Sequence, residues 1–173
     1  MIRTTIALTV LAEARWPEPG DDAVPQVPGF VLSSFNPVIA AVADRCLRRR
    51  YGEPPAPRDD GSGTALVLVS ASGDIASANH VARTVDDGGR VGPLFFFQSV
   101  PNSIAGYLAA RWRLGGPVVC LCPTGDPRAD GLAEAELLIA DGDAAAALVV
   151  LVEQSGVDGV RATAAAVLVS GGS

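Results

Sequence analysis

Cys120 and Cys122 are the side chains best placed by type and spacing to do chemistry, two thiols one residue apart in the apolar run Val118 to Cys122. On a strand, residues i and i+2 point to the same face, so the pair invites a metal or redox reading. A tetrahedral metal site needs four ligands, and the sequence has no second cysteine pair and a single histidine, His80. Packing as small apolar side chains is the simpler reading. Cys46 makes the cysteine count odd, which speaks against a disulfide framework and for reduced thiols. Acyl transfer through Cys122 or a nearby serine would need a base. Asp126 is the neighbouring carboxylate, and no histidine lies near it. No cofactor and no metal are expected.

The elements around these residues follow from pattern. Thr4 to Ala14 reads as a first strand, ending at Trp16-Pro17. Asn36-Pro37 supplies a cap and a proline for the first helical position, and Val38, Ile39, Val42, Cys46 and Leu47 follow at helical spacing up to Tyr51-Gly52. Residues 53–63 read as an internal loop, and Thr64 to Ser70 as a strand covered on both faces. Asp74 can cap a helix bearing Ile75, Ala78, Ala82 and Val85. Ser99 to Arg113 is predicted helical, with Ile104, Leu108 and Trp112 as its buried stripe. The strand Val118 to Cys122, a helix from about Arg128 to Asp141, a strand from 145 to 152 and a last strand from 161 to 169 complete the chain, with residues 170–173 as a flexible tail. The start of the strand at 145 is open, because alanines 144–147 favour helix. Strands alternating with helices predict an α/β fold: a mostly parallel five-stranded sheet with helices on both faces.

The 173 residues suit one domain, 1–173, and about half are apolar, enough for a real core. A net charge of −6 and a pI near 4.6 argue against nucleic acid. The basic cluster Arg45, Arg48, Arg49 and Arg50 closes a predicted helix, where cations complement the dipole. The apolar run 144–152 is too short to span a membrane, and no leader is read at the N-terminus, so a cytoplasmic protein is expected. Every basic residue is arginine, which with abundant Ala, Gly, Val and Pro fits a GC-rich bacterial genome.

From Gly92 to Glu153 the chain resembles the first half of a β-ketoacyl synthase. The resemblance is carried by Pro93 with its aromatic run, Ser99-Val100-Pro101-Asn102 followed by Ala105-Gly106, Leu114 through Gly116-Pro117, and Gly142-Asp143-Ala144. It implies a thiolase-like fold, of which a complete synthase has two α/β halves, and the expectation is that only the first is present. In the family the nucleophilic cysteine lies eight residues after the proline of the Gly-Pro pair and seventeen before a small-residue turn. Counted from Pro117 and back from Gly142, both intervals fall on Gly125. The two histidines that the family takes from its second half have no counterpart, since His80 lies well before the motif segment.

Absence of nucleophile and activators resembles the chain-length-factor class, the non-catalytic partners of type II polyketide ketosynthases, and especially the truncated partners of polyene systems. Glycine at 125 departs from the glutamine often found there. The resemblance implies heterodimerisation with a catalytic ketosynthase and a part in shaping the acyl tunnel; the acidic net charge suits contact with acyl carrier protein only through that partner. Val118, Val119, Cys120, Leu121 and Cys122 would form the strand that pairs with the partner subunit; a central strand within the monomer fits the composition equally well. Phe95, with Phe96 beside it, matches the loop whose aromatic residue crosses into the neighbour's acyl pocket, against the alternative of core packing. Asp130, Glu134 and Asp141 share one helix face, which suggests exposure to water. A homodimeric scaffold and an independent acyl-transfer enzyme stand as alternatives.

Overall fold

A computed structural model of the protein describes residues 6–154 and 162–172. Its eleven elements are β1 (Leu8–Trp16), α1 (Phe35–Tyr51), α2 (Arg58–Ser62), β2 (Thr64–Val69), α3 (Ile75–Asp86), α4 (Pro93–Gln98), α5 (Pro101–Trp112), β3 (Val118–Leu121), α6 (Pro127–Ala140), β4 (Ala146–Gln154) and β5 (Ala162–Gly171). The uninterrupted apolar runs of β2 and β4 put both strands in the middle of one sheet, in the order β1-β5-β4-β2-β3.

The sheet is mixed, which corrects the mostly parallel arrangement expected from sequence. β2 is parallel to both β3 and β4, while β5 runs antiparallel to β4 and to β1. The cause is connection length. Between β3 and β4 the chain has room for α6 as a crossover, whereas only residues 155–161 separate β4 from β5. A parallel return needs a dozen residues or more.

One sheet face is covered by α1 and α5, whose Val38, Ile39, Leu47, Leu108 and Trp112 are buried against Leu66, Leu148 and Leu168. The other is covered by α6, where Ala135 and Leu138 meet Val67, Val149 and Val167. Glycine sets how closely α6 approaches. A Cβ on Gly131 would lie 2.7 Å from Val149 Cγ1 and 2.9 Å from Val69 Cγ2. Gly116 likewise lets the turn into β3 cross the start of β2, since a Cβ there would come within 2.6 Å of Thr64 and Ala65 backbone atoms.

Other boundaries differ in instructive ways. Ser34, not Asn36, holds the N-cap position of α1, without a side-chain cap bond; Asn36 is buried inside the first turn, and its Nδ2 donates to the Gln98 carbonyl at 3.0 Å. The 53–63 loop contains α2. Residues expected to begin a flexible tail hold the end of β5, and Gly172 N–H donates to the Ala7 carbonyl at 2.6 Å. β4 begins at Ala146, so the alanines at its start are drawn into the sheet by pairing with β2 and β5. The first strand begins at Leu8; the expected residues Thr4 and Thr5, like Arg161 and Ser173, lie outside the described residues. Among the described residues no helix is long and apolar enough to cross a membrane.

Candidate functional site

β3 is an edge strand. It pairs with β2 through Leu66↔Val118 to Val69↔Leu121, and its other side pairs with no described strand. Alternation along it sends Val119 and Leu121 toward α6, while Val118, 43 % exposed, and Cys120 face out. The strand ends at Leu121, so Cys122 sits just past it. Neither charge nor proline interrupts the strand, which leaves its free backbone groups open to another chain.

The two thiols are exposed but not equivalent. Cys120 Sγ donates to Asn102 Oδ1 of α5 at 3.2 Å, and partial desolvation at that contact raises its pKa above the ordinary value. Cys122 Sγ faces the Ala71 carbonyl at 3.8 Å. Cys46 is fully buried in the core, and burial pushes its thiol up to about 12. Raised thiols carry little thiolate at neutral pH. Among the described residues no group of three or more His, Cys, Asp or Glu is placed to hold a metal ion.

The aromatic run is helical rather than extended. Gly92-Pro93 starts α4 with proline in the first turn, and the three phenylalanines fan around the helix at about 100° per residue. Phe95 is half-buried and packs on His80 of α3, ring centroids 5.0 Å apart. The side chains that project are Phe96, 73 % exposed, and Phe97, 59 % exposed. Gln98 anchors the helix end: its carbonyl takes Asn36 and its Oε1 takes Val31 N–H. Asp74 caps α3 as expected, accepting from Ser77 N–H at 3.0 Å and from Ser33 Oγ at 2.6 Å. Beyond that tether Ala78, Ala82 and Val85 are exposed, not core. Apolar surface is thus carried by α3, α4 and β3, joined in series through His80–Phe95, the α4–α5 contact and the α5–β3 contact. Sequence reading missed Phe97 and Val85. The Gly-Pro helix start and the helical spacing in α3 were the available signals.

Gly125 lies exposed in the turn before α6, whose cap is Asp126, accepting from Ala129 N–H at 2.7 Å. Asp130 turns back onto this turn. Its Oδ2 accepts Thr124 N–H at 2.6 Å and Gly125 N–H at 3.1 Å, and these bonds hold its pKa below the ordinary carboxylate value. Asp130 is therefore not a freely solvated member of the face it shares with Glu134 and Asp141. A Cβ built on Gly125 meets no heavy atom within 4 Å. A cavity of about 820 Å³ lies between the loop after β1, α1 and α5, and includes no residue of β3, α4 or this turn. Its arginines Arg45, Arg48, Arg49 and Arg111 are paired with Glu18, Asp21 and Asp44.

Residues 56–159 match the family model for the β-ketoacyl synthase N-terminal domain. The chain belongs to the β-ketoacyl synthase N-terminal domain family. Solved structures agree in fold. A ketosynthase (ApeO) in complex with its chain length factor (ApeC) from Xenorhabdus doucetiae superposes with a TM-score of 0.73 at 18 % identity, over 99 % of this chain and 81 % of that one. The ishigamide ketosynthase/chain length factor gives 0.69 at 15 %, over 96 % and 62 %. The AntDE:AntF structure, a type II acyl carrier protein in complex with its ketosynthase, gives 0.69 at 11 %, over 97 % and 64 %. This ketosynthase-family chain thus spans under two thirds of the matched chain in the latter two. No curated protein sequence matches it. The fold is the thiolase-like α/β fold with a mixed five-stranded sheet.

Proposed function

We propose that this chain is a non-catalytic ketosynthase-like subunit that heterodimerises with an active β-ketoacyl synthase through β3 and helps shape the partner's acyl tunnel during polyketide, polyene or fatty-acid-like chain elongation. The observation that carries the reading is the free edge of β3, with Val118 and Cys120 facing outward and no charge or proline to discourage pairing. Glycine at the position that the resemblance assigns to the nucleophile supports leaving the chemistry to the partner. Acyl transfer through Cys122 is less well supported, because no histidine stands near it in the sequence and one oxygen of Asp126 is engaged as the α6 cap.

Likeness to structures described as ketosynthase with chain length factor supports the same partnership. Phe95, Phe96 and Phe97 would meet the partner's acyl pocket from α4. Acyl carrier protein would be engaged through the partner, since a net charge of −6 does not favour a direct acidic contact. Reconstitution with acyl carrier protein, malonyl donor and a full-length ketosynthase tests the reading. The pair should elongate acyl chains, this chain alone should not, and Phe95→Ala should broaden the product lengths. Elongation by the isolated chain, or a ketosynthase whose products are indifferent to its presence, would overturn it.

A further inference from the structure

The turn before α6 is an anion-binding arrangement by its geometry. Successive backbone N–H groups converge at the positive end of a helix, where a negative group is stabilised. The chain fills that arrangement itself. Asp130 Oδ2 takes Thr124 N–H at 2.6 Å, Gly125 N–H at 3.1 Å and the Thr124 hydroxyl at 3.3 Å, while Asp126 takes Ala129 N–H at 2.7 Å. Two carboxylates thereby serve the donors that an incoming anion would need. Packing does not demand the glycine: position 125 is exposed and a Cβ there has open space. A missing side chain and an occupied anion site are separate features of one turn.

We propose that Asp130 is a built-in anion that closes position 125 to a thiolate, an oxyanion or any other anionic ligand, so that restoring a cysteine there would not by itself restore a reactive site. The inference rests on the assignment of position 125 as the nucleophile position. Its physics is local. A carboxylate already holding the Gly125 N–H repels a second negative charge at the next atoms, and the donors that would stabilise that charge are spent. The other charged groups about the turn are engaged: Arg128 with Glu13 of β1, and Glu153 at the end of β4 with Ala71 N–H and Ser72 Oγ. The Cys122 thiol is the remaining titratable neighbour.

The test uses the full chain carrying Gly125→Cys, with and without Asp130→Asn. Iodoacetamide modification of residue 125 is followed against pH by peptide mass spectrometry, which separates it from Cys120 and Cys122. In Gly125→Cys the midpoint should lie above about 8.5, the ordinary thiol value. Adding Asp130→Asn should lower it by about one pH unit, the effect of removing one charge a few ångströms away at an exposed site. Asp130→Ser, which keeps a hydroxyl acceptor for the two N–H groups, replaces the asparagine variant if thermal melting shows that the latter does not fold. Coincident midpoints with and without the carboxylate would overturn the proposal, as would a midpoint below the ordinary value in Gly125→Cys alone. Pairing with a ketosynthase does not enter the measurement, so failure here and failure of the partner reading are distinguishable.

Discussion

Replacing Cys120 by proline removes a single backbone group from the free edge of β3. The Pro117 carbonyl accepts from Leu66 N–H at 2.9 Å and the Leu121 carbonyl from Ser70 N–H at 3.2 Å. Backbone groups of successive strand residues point to opposite sides, so residues 117, 119 and 121 face β2, and Val118 and Cys120 present theirs to the open side. Proline at 120 therefore deletes an outward N–H and leaves the ladder to β2 intact, the situation in which edge strands tolerate it. A partner strand paired there would keep a buried carbonyl without a donor, at a cost of about 1–3 kcal/mol. That converts to a dissociation constant about 5- to 150-fold weaker. Cys120→Ala is the control, because it removes the thiol bond to Asn102 and keeps the N–H. Sedimentation of the chain with a full-length ketosynthase measures both variants, and melting of the isolated chain checks that proline has left the fold in place. Binding by Cys120→Pro within twofold of Cys120→Ala would refute pairing through this edge.

Gly131→Ala should destabilise the chain by about 1–3 kcal/mol, the usual cost of overpacking, because its Cβ would overlap Val149 and Val69; thermal melting would fall by several degrees. Asp44 accepts from Arg48, Arg111 and Trp112, and although burial opposes it these bonds hold its pKa below the ordinary value. Its contribution to stability is present above the unfolded value near 3.9 and is lost as pH falls through the lower folded value, so Asp44→Asn should flatten that part of the acid-unfolding curve. Native-state maleimide labelling should modify Cys120 and Cys122 and spare Cys46, whose thiol is buried and raised to about 12; intact mass would read two additions, and a third only after unfolding.

The features legible in the sequence are those fixed by local chemistry. The apolar runs of β2 and β4, the Asp74 cap and the buried stripe Ile104, Leu108 and Trp112 follow from pattern. What escaped depends on partners distant along the chain. The mixed sheet turned on the short 155–161 connection, whose consequence shows only once β5 is placed beside β4. Asn36 looked like a cap because caps and buried polar anchors use the same residue type, and only the Gln98 carbonyl distinguishes them. The helical α4 redirected the aromatic run, turning Phe95 to His80 and leaving Phe96 and Phe97 outward. Asp130 read as a solvated carboxylate because its helix-face position carries no sign that it turns back on Thr124 and Gly125.

The open edge of β3 is the feature on which the proposed partner role depends, and α3 and α4 carry further exposed apolar surface. Co-expression with a full-length ketosynthase from the same genome, followed by size-exclusion chromatography with light scattering of the purified material, is the most direct measurement. A one-to-one heterodimer is the predicted result. A stable lone monomer, or a homodimer that ignores the ketosynthase, would contradict the account.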